Sequence, residues 1–268
     1  MKFKLAMCQM MPATDKDKSM RRFTRMAEEA ASVGADMLVF PEMWTCPYMN
    51  KWIEAFKEPE GGSFYTFMKE TAARLGVYIF GGSMPEAAGG KLYNTCYVFD
   101  RKGKQIGKHR KAHMFDIDVP GKIKFTESAF ITPGDKTTIV DTEFGKIGVA
   151  ICFDVRFAEF SRRMALDGAQ LIVLPAAFNL TTGPAHWDLS IKMRAVDNQV
   201  FFAGVQPARD PDCEFKAWGN SRCCDPWGKV LAACDEKPQV IYADIDTDRI
   251  EEIRNELPIL SGLRPEIY

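Results

Sequence analysis

No stretch of this sequence approaches the roughly 18 consecutive apolar residues that a membrane-spanning helix needs, so no helical span and no membrane partner are expected. Charge of one sign is also missing: 35 Lys and Arg stand against 36 Asp and Glu. That balance gives no electrostatic footprint for nucleic acid or an anionic lipid surface. The eight cysteines include no CxxC pair, and adjacent Cys223 and Cys224 are poor partners for a disulfide or for one metal. Free thiols are therefore expected. The opening MKFKLAMCQM is too short an apolar patch for a secretory signal and reads as a first strand, which predicts a cytoplasmic protein.

Histidine is scarce, with three in all. His109 and His113 are four apart, but no glutamate sits between them as in HExxH, and no third ligand is evident. His186 could in principle serve a Cys–His pair, yet the chain has no GxCxG elbow. A Gly-rich phosphate loop is absent too. Neither a metal nor a cofactor is expected.

Apolar β-rich runs alternate with amphipathic helical stretches, which implies an α/β protein with a core of ordinary size. FKLAMCQM, a helix over 16–33 and GADMLVFPEM are echoed by GKIGVAICFD, a helix near 156–167 and DGAQLIVLPAAF. The echo aligns Gly34 with Gly168, Pro41 with Pro175, Cys8 with Cys152 and Glu42 with Ala176. No Gly/Ser-rich linker separates the halves, so one domain over 1–268 with pseudo-twofold symmetry is predicted. Two sheets with outer helices, an α-β-β-α sandwich, follow from that pattern. A helix over 63–75 closed by Gly76, a turn at Lys102-Gly103, a long polar loop over 111–136 and a terminal helix stopped at Pro258 complete the reading.

Three residues stand out chemically. Glu42 follows the hydrophobic run MLVF and Pro41, at the carboxyl end of a buried strand, where open α/β sheets present ligands. Lys111 opens an irregular connection, and long irregular connections in compact domains are more often functional than accidental. A lysine there supplies a mobile charge suited to an oxyanion. Cys152 ends an apolar strand at a strand-to-helix transition, where backbone N–H groups lower a thiol pKa and bind an oxyanion.

LVFPEMW, KHRKAHMFD and ICFDVRFAE resemble the three catalytic boxes of the nitrilase/carbon–nitrogen hydrolase superfamily, in that family's order. DIDVPGKIKFTES, AAFNLTTGPAHW, RAVDNQVFFAGVQPARD and AWGNSRCCDPWGKV resemble its omega-amidase branch more specifically. The resemblance implies Glu42 as general base, Cys152 as nucleophile, and Lys111 with the Phe153 N–H as oxyanion donors. Glu127, in FTES, would orient the lysine and substrate. It further implies a cofactor-free thiol amidohydrolase of linear amides. Its substrate would be a small-molecule amide of a short dicarboxylic acid such as α-ketoglutaramate or α-ketosuccinamate, cleaved through a thioester.

The free carboxylate of such a substrate needs a cation, for which Arg156 is a candidate; an ion pair with Asp154 or Glu159 is the structural alternative. Phe178 (through its backbone) and Thr182 would share that carboxylate, and Tyr48 would line the pocket. Asn220, Cys223 and Cys224 depart from the family pattern and would alter substrate preference if their strand faced the pocket. A homodimer or higher homo-oligomer is implied as well. Competing expectations are another superfamily amidase, an N-carbamoyl hydrolase or a nitrilase, and, in another class, a catalytically silent scaffold. Because no ligand cluster is evident, incubation with EDTA is expected to leave amide turnover unchanged; a reversible loss of activity on chelation would contradict this.

Overall fold

The structure is a computed structural model that describes residues 1–267. Its first half runs β1 (Lys2–Gln9), α1 (Lys16–Ser32), β2 (Met37–Val39), α2 (Asn50–Phe56), α3 (Ser63–Leu75), β3 (Tyr78–Phe80), β4 (Met84–Ala88), β5 (Lys91–Phe99) and β6 (Gln105–Arg110). A hairpin of β7 (Asp116–Val119) and β8 (Ile123–Thr126) follows. The second half runs β9 (Thr138–Thr142), β10 (Gly145–Val149), α4 (Ala158–Leu166), β11 (Leu171–Pro175), α5 (Gly183–Asn198), β12 (Phe201–Val205), β13 (Arg222–Cys224) and β14 (Val230–Ala233). The chain returns through β15 (Gln239–Asp246) and α6 (Asp248–Glu256).

Each half builds one sheet on the same plan. In the first, parallel β1-β2-β3 is flanked by antiparallel β15 and β5, with β4 and β6 both pairing with β5. In the second, parallel β10-β11-β12 is flanked by antiparallel β9 and β13, with β14 beyond. The returning strand β15 thus does for β1 what β9 does for β10. The α/β sandwich expected from the internal echo is the fold observed.

The strand pleat sorts the core into layers, because alternate side chains point to opposite faces. On β1, Phe3, Leu5 and Met7 join the cluster that includes Ile147, Val149, Val173 and Val205 of the second sheet. Ala6 and Cys8 point the other way, onto Phe23, Met26 and Ala30 of α1 and Met68 and Ala72 of α3. Helices α4 and α5 cover the second sheet with Met164, Trp187, Ile191 and Ala195. Asp15 caps α1 by accepting from the Lys18 N–H, and Gly76 closes α3 in the left-handed conformation.

Three expectations are corrected. The sheet register overturns the alignment of Cys8 with Cys152. Leu5 pairs with Met37 and Ile147 with Leu171; matching Met37 to Leu171 therefore matches Leu5 to Ile147, Cys8 to Ala150 and Met10 to Cys152. The echo aligned like letters, whereas the hydrogen-bond ladder sets the true correspondence. The supposed loop over 111–136 contains the β7–β8 hairpin and a 3-10 turn at Glu127–Ala129. Its alternation is weak because both strands are half-exposed. The helix near 156 begins at Ala158, since residues Cys152–Arg156 form a 3-10 turn first.

Cys223 and Cys224 lie buried in the core cluster that contains α5 residues. Asn220 takes φ 62°, a left-handed conformation that asparagine tolerates. This segment packs rather than lining the site.

Gly82 holds the Glu42 segment in place. Its φ is +60°, and a Cβ there would stand 2.2 Å from the Pro41 carbonyl oxygen. Gly82→Ala should therefore cost about 2–4 kcal/mol, read as a melting temperature roughly 5–10 °C lower, together with reduced turnover; a variant as stable and active as the parent would refute the constraint.

Candidate active site

Glu42 and Cys152 lie just beyond the carboxyl ends of β2 and β10, parallel strands of the first and the second sheet. Lys111 directly follows β6. The fold thus gathers three residues far apart in sequence at one point, in keeping with the rule that α/β sheets present ligands at strand carboxyl ends. Glu42, Lys111 and Cys152 are 1 %, 0 % and 6 % exposed, and Glu127 is fully buried.

Lys111 is the centre of the polar network. Its Nζ donates to Glu42 Oε1 at 2.9 Å and to Glu127 Oε2 at 2.8 Å. Glu127 also accepts from the Tyr48 hydroxyl at 2.6 Å and from the Phe115 N–H at 2.6 Å. Asn94 ties the lysine to Glu42: its carbonyl accepts from the Lys111 N–H at 2.8 Å, and its Nδ2 donates to Glu42 Oε1 at 2.8 Å. Glu42 Oε1 is thereby fully engaged, while Oε2 has no partner in this network. The Cys152 thiol lies within electrostatic reach of the Glu42 carboxyl and of Lys111, and Cys152 and Ala177 line the same cavity.

The electrostatics follow from burial. Burial works against the Lys111 charge, but Glu127 and Glu42 outweigh it and raise the lysine, so it stays an ammonium. Burial pushes the Glu42 carboxyl up, Lys111 pulls it down and Glu127 pushes it up again; the net direction is up. Burial and the nearby Glu42 likewise push the Cys152 thiol well above its ordinary value, against Lys111 and the Ala177 N–H. The resting sulfur is therefore a thiol beside a proton acceptor. Such a pair can deliver a thiolate at the moment of attack, without a histidine.

The nucleophile's turn is strained. Cys152 takes φ +47°, and Met43, next to Glu42, takes φ +51°. Non-glycine residues in this region cost of order 1–3 kcal/mol and cluster at functional sites. Here the strain turns Cys152 out of the strand direction at the start of the 3-10 turn.

Two cavities flank the catalytic groups. One is lined by Cys152, Phe153, Arg156, Ala177, Phe178, Thr182 and Phe115. The other includes Glu42, Tyr48, Cys46, Phe215 and Asp210. Arg156 is half-buried, and neither Asp154 nor Glu159 pairs with it; no carboxylate among the described residues lies within ion-pair distance. Its Nη2 meets His186 Nδ1 at 3.3 Å, and the Phe153 and Phe178 rings lie 5.5 and 5.3 Å from its guanidinium carbon. The structural ion pair is thus ruled out.

Phe178 is corrected in role. Its N–H donates to Gln206 Oε1 at 2.8 Å, and its carbonyl accepts from Trp218 N–H at 2.7 Å. Its backbone is committed, so it brings a ring rather than an N–H to the cavity. Thr182 lines the same cavity, with its hydroxyl 3.3 Å from Asn179 Oδ1.

Sequence reasoning missed Asn94, Asp154 and Gln206. Asn94 carried a usable signal, a polar amide inside the strand-forming run LYNTCYVF, where asparagine is disfavoured. Asp154 carries neither Arg156 nor solvent; it accepts from both His109 and His113.

The family model for carbon–nitrogen hydrolases matches residues 4–255. The chain is 44 % identical to nitrilase homolog 2 of Dictyostelium discoideum, over 99 % of this chain and 82 % of that protein. It is also 44 % identical to omega-amidase NIT2 of Bos taurus, over 99 % of this chain and 96 % of that protein. Among solved structures, Nit3 of Saccharomyces cerevisiae, a member of branch 10 of the nitrilase superfamily, superposes with a TM-score of 0.90 at 34 % identity, over 100 % of this chain and 97 % of that one. The sandwich, the buried Glu–Lys–Cys cluster and these likenesses agree: the chain belongs to the carbon–nitrogen hydrolase family.

Proposed function

We propose that this protein is an omega-amidase, a thiol hydrolase that releases ammonia from the terminal carboxamide of a short dicarboxylic acid monoamide. The observation that carries this reading is the Arg156 guanidinium, desolvated in the cavity that holds Cys152 and with no carboxylate among the described residues at ion-pair distance. A cation in that state is matched by a substrate carboxylate, which it would bind bidentately. Full-length likeness to proteins named omega-amidase NIT2 supports the same substrate class.

In the mechanism we infer, Glu42 takes the Cys152 proton as the sulfur attacks the amide carbon. The carbonyl π pair moves onto oxygen, where Lys111 and the Phe153 N–H stabilise the charge. Collapse of the tetrahedral intermediate breaks the C–N bond, and Glu42 returns its proton to the departing ammonia. A thioester remains on Cys152. Water then attacks it, giving its proton to Glu42, and the second collapse frees the acid and restores the thiol. Lys111 remains protonated throughout, because its two carboxylate neighbours raise it. Glu127 and Tyr48 hold the lysine in place.

Cys152→Ala is expected to abolish ammonia release from α-ketoglutaramate. With Glu42→Gln, intact-mass spectrometry should find no acyl adduct on the protein; normal acylation there would remove Glu42 from the base role. Arg156→Lys should raise KM for a dicarboxylic monoamide at least about tenfold while changing KM for a plain aliphatic amide little, since a charge-assisted hydrogen bond is worth about 1.5–3 kcal/mol. Equal effects on both substrates would count against the carboxylate assignment. Because Glu42 works as a carboxylate and its pKa is raised from 4.5, kcat/KM should fall on acidification through a midpoint above 4.5; a profile flat down to that pH would contradict the proposed base.

A further inference from the structure

The catalytic residues come from separate segments, so their spacing depends on what ties those segments together. Asn94 ties Lys111 to Glu42 through its carbonyl and its amide. The tie between Lys111 and the nucleophile is a different residue, Asp154, two positions after Cys152.

Asp154 is fully buried, and its carboxylate accepts five hydrogen bonds. Oδ2 accepts from the Ile151 N–H at 2.9 Å, directly before Cys152, and from His109 Nε2 at 3.2 Å, two residues before Lys111. Oδ1 accepts from the Ala112 N–H at 3.2 Å, the His113 N–H at 2.9 Å and His113 Nδ1 at 2.8 Å, directly after Lys111. The partners therefore bracket Lys111 on one side and hold the strained Cys152 turn on the other. A carboxylate only accepts, so the facing nitrogen of each histidine carries its proton there. The His113 ring stacks on Phe157, centroids 3.6 Å apart, which fixes its angle.

We infer that Asp154, with His109 and His113, is a positioning residue that sets the distance between the Lys111 ammonium and the Cys152 sulfur, and hence the oxyanion site. This rests on the thioester mechanism inferred above and adds the device that holds its two halves in register. A fully buried acid with five donors of this distribution has another consequence. An asparagine in its place offers one acceptor oxygen and turns an NH2 toward N–H groups, so one of the two segments must shift.

The test is Asp154→Asn in the full chain, with α-ketoglutaramate as substrate. Turnover should fall at least 30-fold with KM within threefold of the parent. Alkylation of Cys152 by iodoacetamide should stay within threefold, because the asparagine oxygen can keep the Ile151 N–H and so hold the Cys152 turn, while its NH2 faces the Ala112 and His113 donors and displaces the Lys111 segment. Turnover within threefold of the parent overturns the inference, and so does alkylation that falls in step with kcat. Should Asp154→Asn fail to fold, His113→Phe keeps the stacking on Phe157 and removes one donor. It should lower kcat at least fivefold at unchanged KM, and a parental kcat would overturn the inference. Cys152→Ala, run alongside, separates the two readings: activity there sinks the thioester mechanism, whereas an inactive Cys152→Ala with a fully active Asp154→Asn sinks only the positioning role.

Discussion

A lysine ammonium with no exposure to water, held between two carboxylates, is the constraint on which the rest of this structure depends. Removing an ammonium from water costs several kcal/mol even after relaxation, and the cost is offset only with close, well-directed partners. Lys111 has them in Glu42 and Glu127, and Glu127 in turn is held by Tyr48 and the Phe115 N–H. These groups come from three segments of the chain: the connection after β2, the connection after β6, and the turn after β8. The cluster therefore forms only when the first sheet, with the strand before Lys111, and the β7–β8 hairpin are in place.

The duplicated sheet plan explains how such a cluster assembles. Two sets of three parallel strands meet face to face, so their carboxyl ends open at the same edge. One half contributes Glu42 after Pro41, where the other has Ala176 after Pro175. The second half contributes Cys152 where the first has Met10. The symmetry of the fold is broken at the positions where chemistry needs different groups. The backbone strain at Cys152 and Met43 falls on the same two segments. Gly82 and Asp154 act on those segments too, the first by leaving room and the second by hydrogen bonding.

Much of this was legible in the chain. Helix positions followed from apolar periodicity, since α1 and α3 bury clear faces, and β1 from a continuous apolar run that is buried on both sides. The hairpin over 116–126 was not, because its half-exposed strands give little contrast between faces. Among site residues, Glu42, Lys111, Glu127 and Cys152 were marked by their motifs and converge in space. The backbone role expected of Phe178 failed, because Gln206, nearly thirty residues away, takes its N–H. Hydrogen-bond partners at that separation leave no local pattern to read.

The sequence by itself determined the α/β class, the doubled strand–helix–strand plan and the identity of the reactive groups. These depend on local periodicity and on residue types whose chemistry is intrinsic. Only the tertiary structure decided how those groups act on each other. Cys152 is a buried thiol because of what surrounds it, Glu42 is raised because it lies away from water and near Glu127, and Arg156 meets no acid among the described residues, Asp154 being taken by two histidines. Burial, proximity and competition for partners are properties of the folded chain, and electrostatics inside a protein are set by them.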